Sequence, residues 1–146
     1  MLLSRRGYLA LAAVADIAIH ARTAPVAAKA LAARLKLPPR HLEALLQGLV
    51  HANILKGVRG PRGGYELARE RRRITAAAVL RSVSAANGTE KTAECRLVNE
   101  VVAPIVEGAA KVFLNELDAI TLDDICRRME DLNLFEEQNL GPDFTI

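Results

Sequence analysis

The chain has no tryptophan, an aromatic fraction of only 3% and two cysteines. Two thiols thirty-one positions apart, Cys95 and Cys126, cannot build a multi-bridge disulfide scaffold, so a reducing compartment, the cytoplasm, is the expectation. No apolar run approaches the roughly 18 residues that span a bilayer, and no membrane partner is expected. Enzyme signatures are missing as well. No glycine-rich phosphate loop opens a helix, no histidine pair has metal-ligand spacing, and no nucleophile has a base nearby in sequence. The adjacent carboxylates Asp123 and Asp124 fall at a helix start, where capping accounts for them. No repeat or low-complexity tract is evident.

What is present is a chain of 146 residues, 51% hydrophobic, with a net charge of +3. That is too apolar and too weakly charged for disorder, and it suits one globular domain or one domain with an appendage. The opening residues 1–24 pair Arg5 and Arg6 with a following apolar stretch, as a secretory signal would. Asp16 interrupts that stretch, and Ile17 and Ile19 continue it at helical period, so a folded helix is expected instead.

The small net charge conceals a strong asymmetry. Residues 1–82 hold 15 Lys+Arg and 4 Asp+Glu, net +11, whereas residues 83–146 hold 5 and 13, net −8. A basic half of this size suits a polyanion such as DNA, because neutralised phosphates release condensed counterions. Solvated charge that merely keeps the protein in solution is the competing reading, and the positions of the cations must decide.

The pattern along the chain is helical at first. Residues 4–20 form one helix, with Ala10, Leu11, Val14, Ile17 and Ala18 on a stripe at spacings of three and four. Pro25 suits the first turn of a second helix, roughly 26–35, with Ala27, Ala30 and Leu31 inward. Pro39 opens a third, on which Leu42, Leu45, Leu46, Leu49 and Val50 complete an amphipathic stripe. Its opposite face carries Arg40, Glu43, Ala44, Gln47 and His51.

After Asn53 the period becomes extended. Segments 54–59 and 65–68 are strand candidates, and Gly60, Pro61, Arg62, Gly63 and Gly64 between them supply the turn of a hairpin with a basic tip. Ile74 and Thr75 are a staple and N-cap for a short helix bearing Val79, Leu80 and Val83. A polar linker, residues 84–92, marks the change of charge sign. A long helix is expected over 93–118, with Leu97, Val101, Ile105, Val112, Phe113 and Leu117 as its apolar positions and a kink or break at Pro104. A last helix starts behind Thr121, with Asp124 at its third position and Cys126 on its apolar side. Residues 132–146 read as an acidic tail.

Three helices followed by a basic hairpin is the order of a winged helix-turn-helix, whose third helix enters the major groove while the wing follows the backbone or the minor groove. The expected organisation is therefore a mainly α chain: a DNA-binding domain over 1–83, the linker, and a helical region over 93–131. Arginine forks match phosphate and guanine edges, which gives Arg40, Arg59 and Arg62 a physical rationale. The expected DNA-facing set is Arg40, His41, Glu43, Ala44, Gln47, Lys56, Arg59 and Arg62, with His41 against phosphate. A winged helix also serves as a protein-protein module, in which case the acidic half would recruit the partner.

The run from Val58 to Arg69 resembles the wing signature of the Rrf-two family of IscR- and NsrR-like bacterial transcription regulators. Leu42-Glu43, the opening Leu3-Ser4-Arg5-Arg6-Gly7-Tyr8, and Ile120-Thr121-Leu122 are similar too. The resemblance implies a homodimer joined by the long helix that binds palindromic operator DNA, mainly as a repressor. It also implies that Arg40, Glu43 and Ala44 face bases or nearby phosphates, that Arg59 reaches the minor groove, and that Gly60, Gly63 and Gly64 shape the wing. Cluster-bearing members carry three cysteines in the linker and the start of the long helix. Here 84–94 has none and Cys95 stands alone, so no iron-sulfur cluster, and no other cofactor or metal, is expected. Cys95, beside Lys91 and Arg96 near a helix start, is a candidate thiol switch.

Overall fold

A computed structural model describes residues 4–84 and 95–134. Ser4 caps the first helix, α1 (Arg5–His20), its hydroxyl accepting from the Gly7 amide at 3.2 Å. Small residues on α1 let its neighbours pack closely: Ala10, Ala13, Ala15, Val14 and Ile17 are all buried. Gly7 is buried as well, and a Cβ there would lie 2.9 Å from a Leu80 methyl. Asp16, 1% exposed, points from α1 at Arg34 of α2 (Ala28–Leu35). The guanidinium engages both carboxylate oxygens, Nε to Oδ2 at 2.9 Å and Nη2 to Oδ1 at 2.8 Å, so the buried charge is paired and hydrogen-bonded.

The second helix starts later than the sequence suggests. Pro25 is not in its first turn, because Val26 is held in an isolated antiparallel bridge with Tyr65 and the helix begins only at Ala28. Its inner residues are Leu31 and Ala32, while Ala27 and Ala30 are exposed. Lys36, φ 54°, then turns the chain in the left-handed region toward α3 (Pro39–His51). Leu42, Leu45, Leu46 and Leu49 of α3 are buried, but Val50, expected on the same stripe, is 37% exposed. Asn53, φ 58°, ends the turn after α3, and the chain enters β1 (Leu55–Val58).

β1 pairs antiparallel with β2 (Gly64–Leu67), Leu55 opposite Leu67, Lys56 opposite Glu66 and Val58 opposite Gly64. Ile54 and Arg59, read as strand from the sequence, lie just outside the ladder, as does Ala68. The Val26 bridge adds a short third edge to this hairpin. After a single 3-10 turn at Arg71–Arg73, Thr75 caps α4 (Ala76–Ser84), its hydroxyl accepting from the Ala78 amide at 3.1 Å.

The long helix is neither broken nor a uniform α-helix. Val98–Val102 form a π-helical turn, followed by α5 (Ala103–Asp118). Pro104 has no amide to offer the Glu100 carbonyl, and its ring crowds the turn that an α-helix would place there. The wider turn relieves this, and the Ala103 amide bonds the Val98 carbonyl five residues back. A capping box at Thr121 and Asp124 starts α6 (Leu122–Asp131), which buries Leu122 and Cys126 in the same core as α1. The junction is sewn by backbone: Ala76 donates to the Ile120 carbonyl at 2.8 Å, and Leu122 to that of Ile74 at 2.7 Å. Of the expected linker only Ser84 is described, and of the expected tail only residues 132–134, so the remainder lies outside the described residues. No helix among the described residues is long and apolar enough to cross a membrane.

Candidate nucleic-acid interface

The leucines that anchor α3 in the core turn its other face outward. Arg40, His41, Glu43, Ala44 and Gln47 are all exposed on it, as the 3.6-residue period requires. Arg59 and Arg62 stand exposed at the hairpin tip with Pro61 between them. Gly60 takes φ 118°, a conformation that strains any side chain, and a Cβ on Gly63 would lie 2.2 Å from the Val58 carbonyl. The tip is therefore held tight by backbone contacts, including the Gly63 amide to the Gly60 carbonyl at 2.9 Å.

Ion pairing sorts the cations into two groups. Arg34, Arg71, Arg72 and Arg81 all face carboxylates: Arg71 lies 3.2 Å and Arg127 3.1 Å from Asp123, and Arg81 3.3 Å from Asp118. Arg22 reaches Glu130 at 3.5 Å. The acidic half thus pairs with Arg71 and Arg72 of the 3-10 turn and Arg81 of α4, and leaves Arg73 without a described carboxylate. Arg40, Arg59 and Arg62 have no ion pair with any described carboxylate. Lys56 differs from them, because Glu66 directly across the ladder holds its ammonium at 3.1 Å.

The sequence reading missed a second group of cations. Arg5, Arg6 and Lys36 line a groove of about 670 Å³ together with Arg40 and His41, where the starts of α1 and α3 meet. The signal was present in the paired arginines, but their proximity to α3 depends on how α1 crosses it.

On α5 and just before the π turn, by contrast, apolar residues face solvent: Leu97 and Val112 are 64% exposed and Ile105 68%. Phe113 and Leu117 are half-buried.

Three helices with a two-stranded wing, and an exposed outer face on α3 whose Arg40 has no described carboxylate, define a winged-helix DNA-binding regulator. The Rrf2 family profile, described as an iron-dependent transcriptional regulator, matches residues 3–128. The chain belongs to that family. It is 28% identical to the HTH-type transcriptional regulator IscR of Vibrio atlanticus, over 96% of this chain and 83% of that one. Among solved structures, IscR of T. potens is similar at 33% identity and a TM-score of 0.70, covering 89% of each chain. CymR, the global cysteine regulator of B. subtilis, is similar at 26% identity and a TM-score of 0.65, covering 86% of this chain and 96% of that one.

The iron dependence in the family description meets a poor donor set here. The chain has two cysteines. Cys126 is fully buried on α6, and burial pushes its thiol up, away from the thiolate that iron requires. Cys95 is exposed just before the π turn. Among the described residues no three His, Cys, Asp or Glu side chains are grouped to hold a metal ion. A four-thiolate cluster does not fit these residues.

Proposed function

We propose that this regulator is a homodimeric repressor without an iron-sulfur cluster, which occupies palindromic operator DNA with α3 in the major groove and the hairpin on the backbone or in the minor groove. The observation that carries the reading is the pairing of cations: Arg71, Arg72 and Arg81 meet carboxylates of the acidic half, whereas Arg40, Arg59 and Arg62 have no described carboxylate and are left for phosphate and base edges. Arg40, Glu43, Ala44 and Gln47 read bases or adjacent phosphates, His41 contacts phosphate, and Lys56 contributes less because Glu66 competes for it. The apolar stripe of α5 pairs with a second copy, and a two-fold dimer sets its reading helices roughly 34 Å apart, one turn of DNA. Substitution at the wing tests this. Arg59→Ala should cost about 1 to 3 kcal/mol of operator binding, and Arg62→Ala should lower the salt slope by about one. Unchanged binding in both variants would reject the assignment.

A thiol-responsive version of the same function is favoured by the exposure of Cys95 while Cys126 is buried. CymR, the global cysteine regulator of B. subtilis, shares the fold at 26% identity. In that version a thiol-specific oxidant weakens operator binding by the wild type and leaves Cys95→Ser unaffected. Equal responses would discard it.

A further inference from the structure

We propose that the groove between the starts of α1 and α3 binds an amphipathic organic anion, an apolar body carrying one carboxylate, and that its occupancy competes with operator DNA. The competition rests on the operator-binding reading above, because Arg40 and His41 belong to both sites; the binding itself does not. At about 670 Å³ the groove has the size of a small-molecule site. Its floor is carbon, from Leu9, Leu37 and Leu45. Its rim is cationic, and none of the lining residues is acidic.

The cations of this rim lack acceptors. Arg5, Arg6, Lys36 and Arg40 form no ion pair with any described carboxylate. Arg6 Nε is moreover shielded from solvent and has no hydrogen-bond partner. A guanidinium N–H can only donate, so a shielded one without an acceptor is an unfavourable arrangement, and an oxyanion would correct it once the Arg6 side chain turns toward the groove. The first turn of α1 also carries two arginines and no acid, at the end of the helix whose dipole repels cations. An anion between them reverses the sign of both interactions. A DNA phosphate would satisfy the rim but leave the leucine floor wet, whereas a carboxylate with an apolar body covers both.

The full-length protein, free of DNA, can be titrated calorimetrically with octanoate and with benzoate. Octanol, which keeps the body without the charge, and inorganic phosphate, which keeps charge without the body, are the controls. Saturable binding of a carboxylate is expected, weakened about tenfold or more by Arg6→Met. The same carboxylate should raise the operator dissociation constant of the wild type more than that of Arg6→Met. Lys36→Asn, which suits the left-handed backbone there, gives the second variant if Arg6→Met does not fold. The proposal is overturned if neither carboxylate binds saturably up to about 10 mM, if octanol binds as well, or if binding ignores both substitutions. Displacement of operator by phosphate as effective as that by octanoate would also overturn it, assigning the groove to the DNA backbone. Loss of the proposal with operator binding intact leaves the repressor reading standing; a wild-type protein that ignores operator DNA rejects that reading instead.

Discussion

Val26 and Tyr65 exchange both backbone hydrogen bonds, Val26 donating to Tyr65 at 2.9 Å and Tyr65 to Val26 at 2.8 Å. This reciprocal pair fixes the wing to the segment that leads into α2. Gly64 makes the approach possible, since a Cβ there would fall 2.2 Å from the Val26 carbonyl oxygen. Gly64→Ala should therefore destabilise the fold by about 2 kcal/mol, because the obstructing atoms are backbone and cannot swing aside. Gly57→Ala, with nothing within 4 Å of the added methyl, should stay within about 0.5 kcal/mol. Urea unfolding of the two variants makes the comparison.

The Lys56–Glu66 pair is exposed enough that it contributes at most about 1 kcal/mol to stability. Under the proposed function its main effect falls on DNA binding rather than on folding. Glu66→Gln should release the ammonium, tighten binding to any duplex and steepen the salt dependence, with the unfolding midpoint almost unchanged. Lys56→Ala should weaken binding less than Arg62→Ala does. Fluorescence anisotropy at several salt concentrations measures both.

Ile105, the most exposed of the large apolar residues on α5, tests the assembly. Ile105→Asp should convert the proposed dimer to single chains at micromolar concentration, since an unpaired carboxylate would have to be buried in the interface. Light scattering reads the mass, and circular dichroism checks that the helix persists. A wild type that is already a single chain would remove the proposed interface.

The start of α6 should be sensitive to acid. Hydrogen bonds from the Thr121 amide and hydroxyl hold the Asp124 carboxyl below its ordinary value. A carboxyl depressed in the folded state stabilises above its unfolded value, near pH 4, and that contribution is lost as the pH falls through the lower folded value. Protection factors of the amides around Thr121 and Asp124, which correct for the slowing of intrinsic exchange in acid, should therefore fall below about pH 4, and Asp124→Asn should remove that pH dependence.

Periodicity made much of the fold legible. The α3 leucines, the Thr75 and Thr121 caps and the glycine-rich turn are local patterns, and each lies where its spacing indicates, whereas Ser4, read as the first residue of a helix, caps it from outside. The departures are equally instructive. Pro25 suits a helix start by its own dihedral preference, but the two hydrogen bonds between Val26 and Tyr65, thirty-nine residues later, hold the chain extended instead. Pro104 announced a disturbance without its form. Whether the helix breaks or widens depends on how its flanks are held, which the residues near the proline do not specify.

By itself the sequence determined the order of elements, the basic and acidic halves and the two-cysteine inventory, because composition and short-range period depend only on neighbours along the chain. Only the tertiary structure decided which cations remain unpaired. Asp118 is brought onto Arg81 by the packing of α5 against α4, and Asp123 onto Arg71 by the packing of α6 against the 3-10 turn, while no described carboxylate is carried to Arg40, Arg59 or Arg62. Coulomb attraction falls with separation in space, and separation along the chain does not fix it.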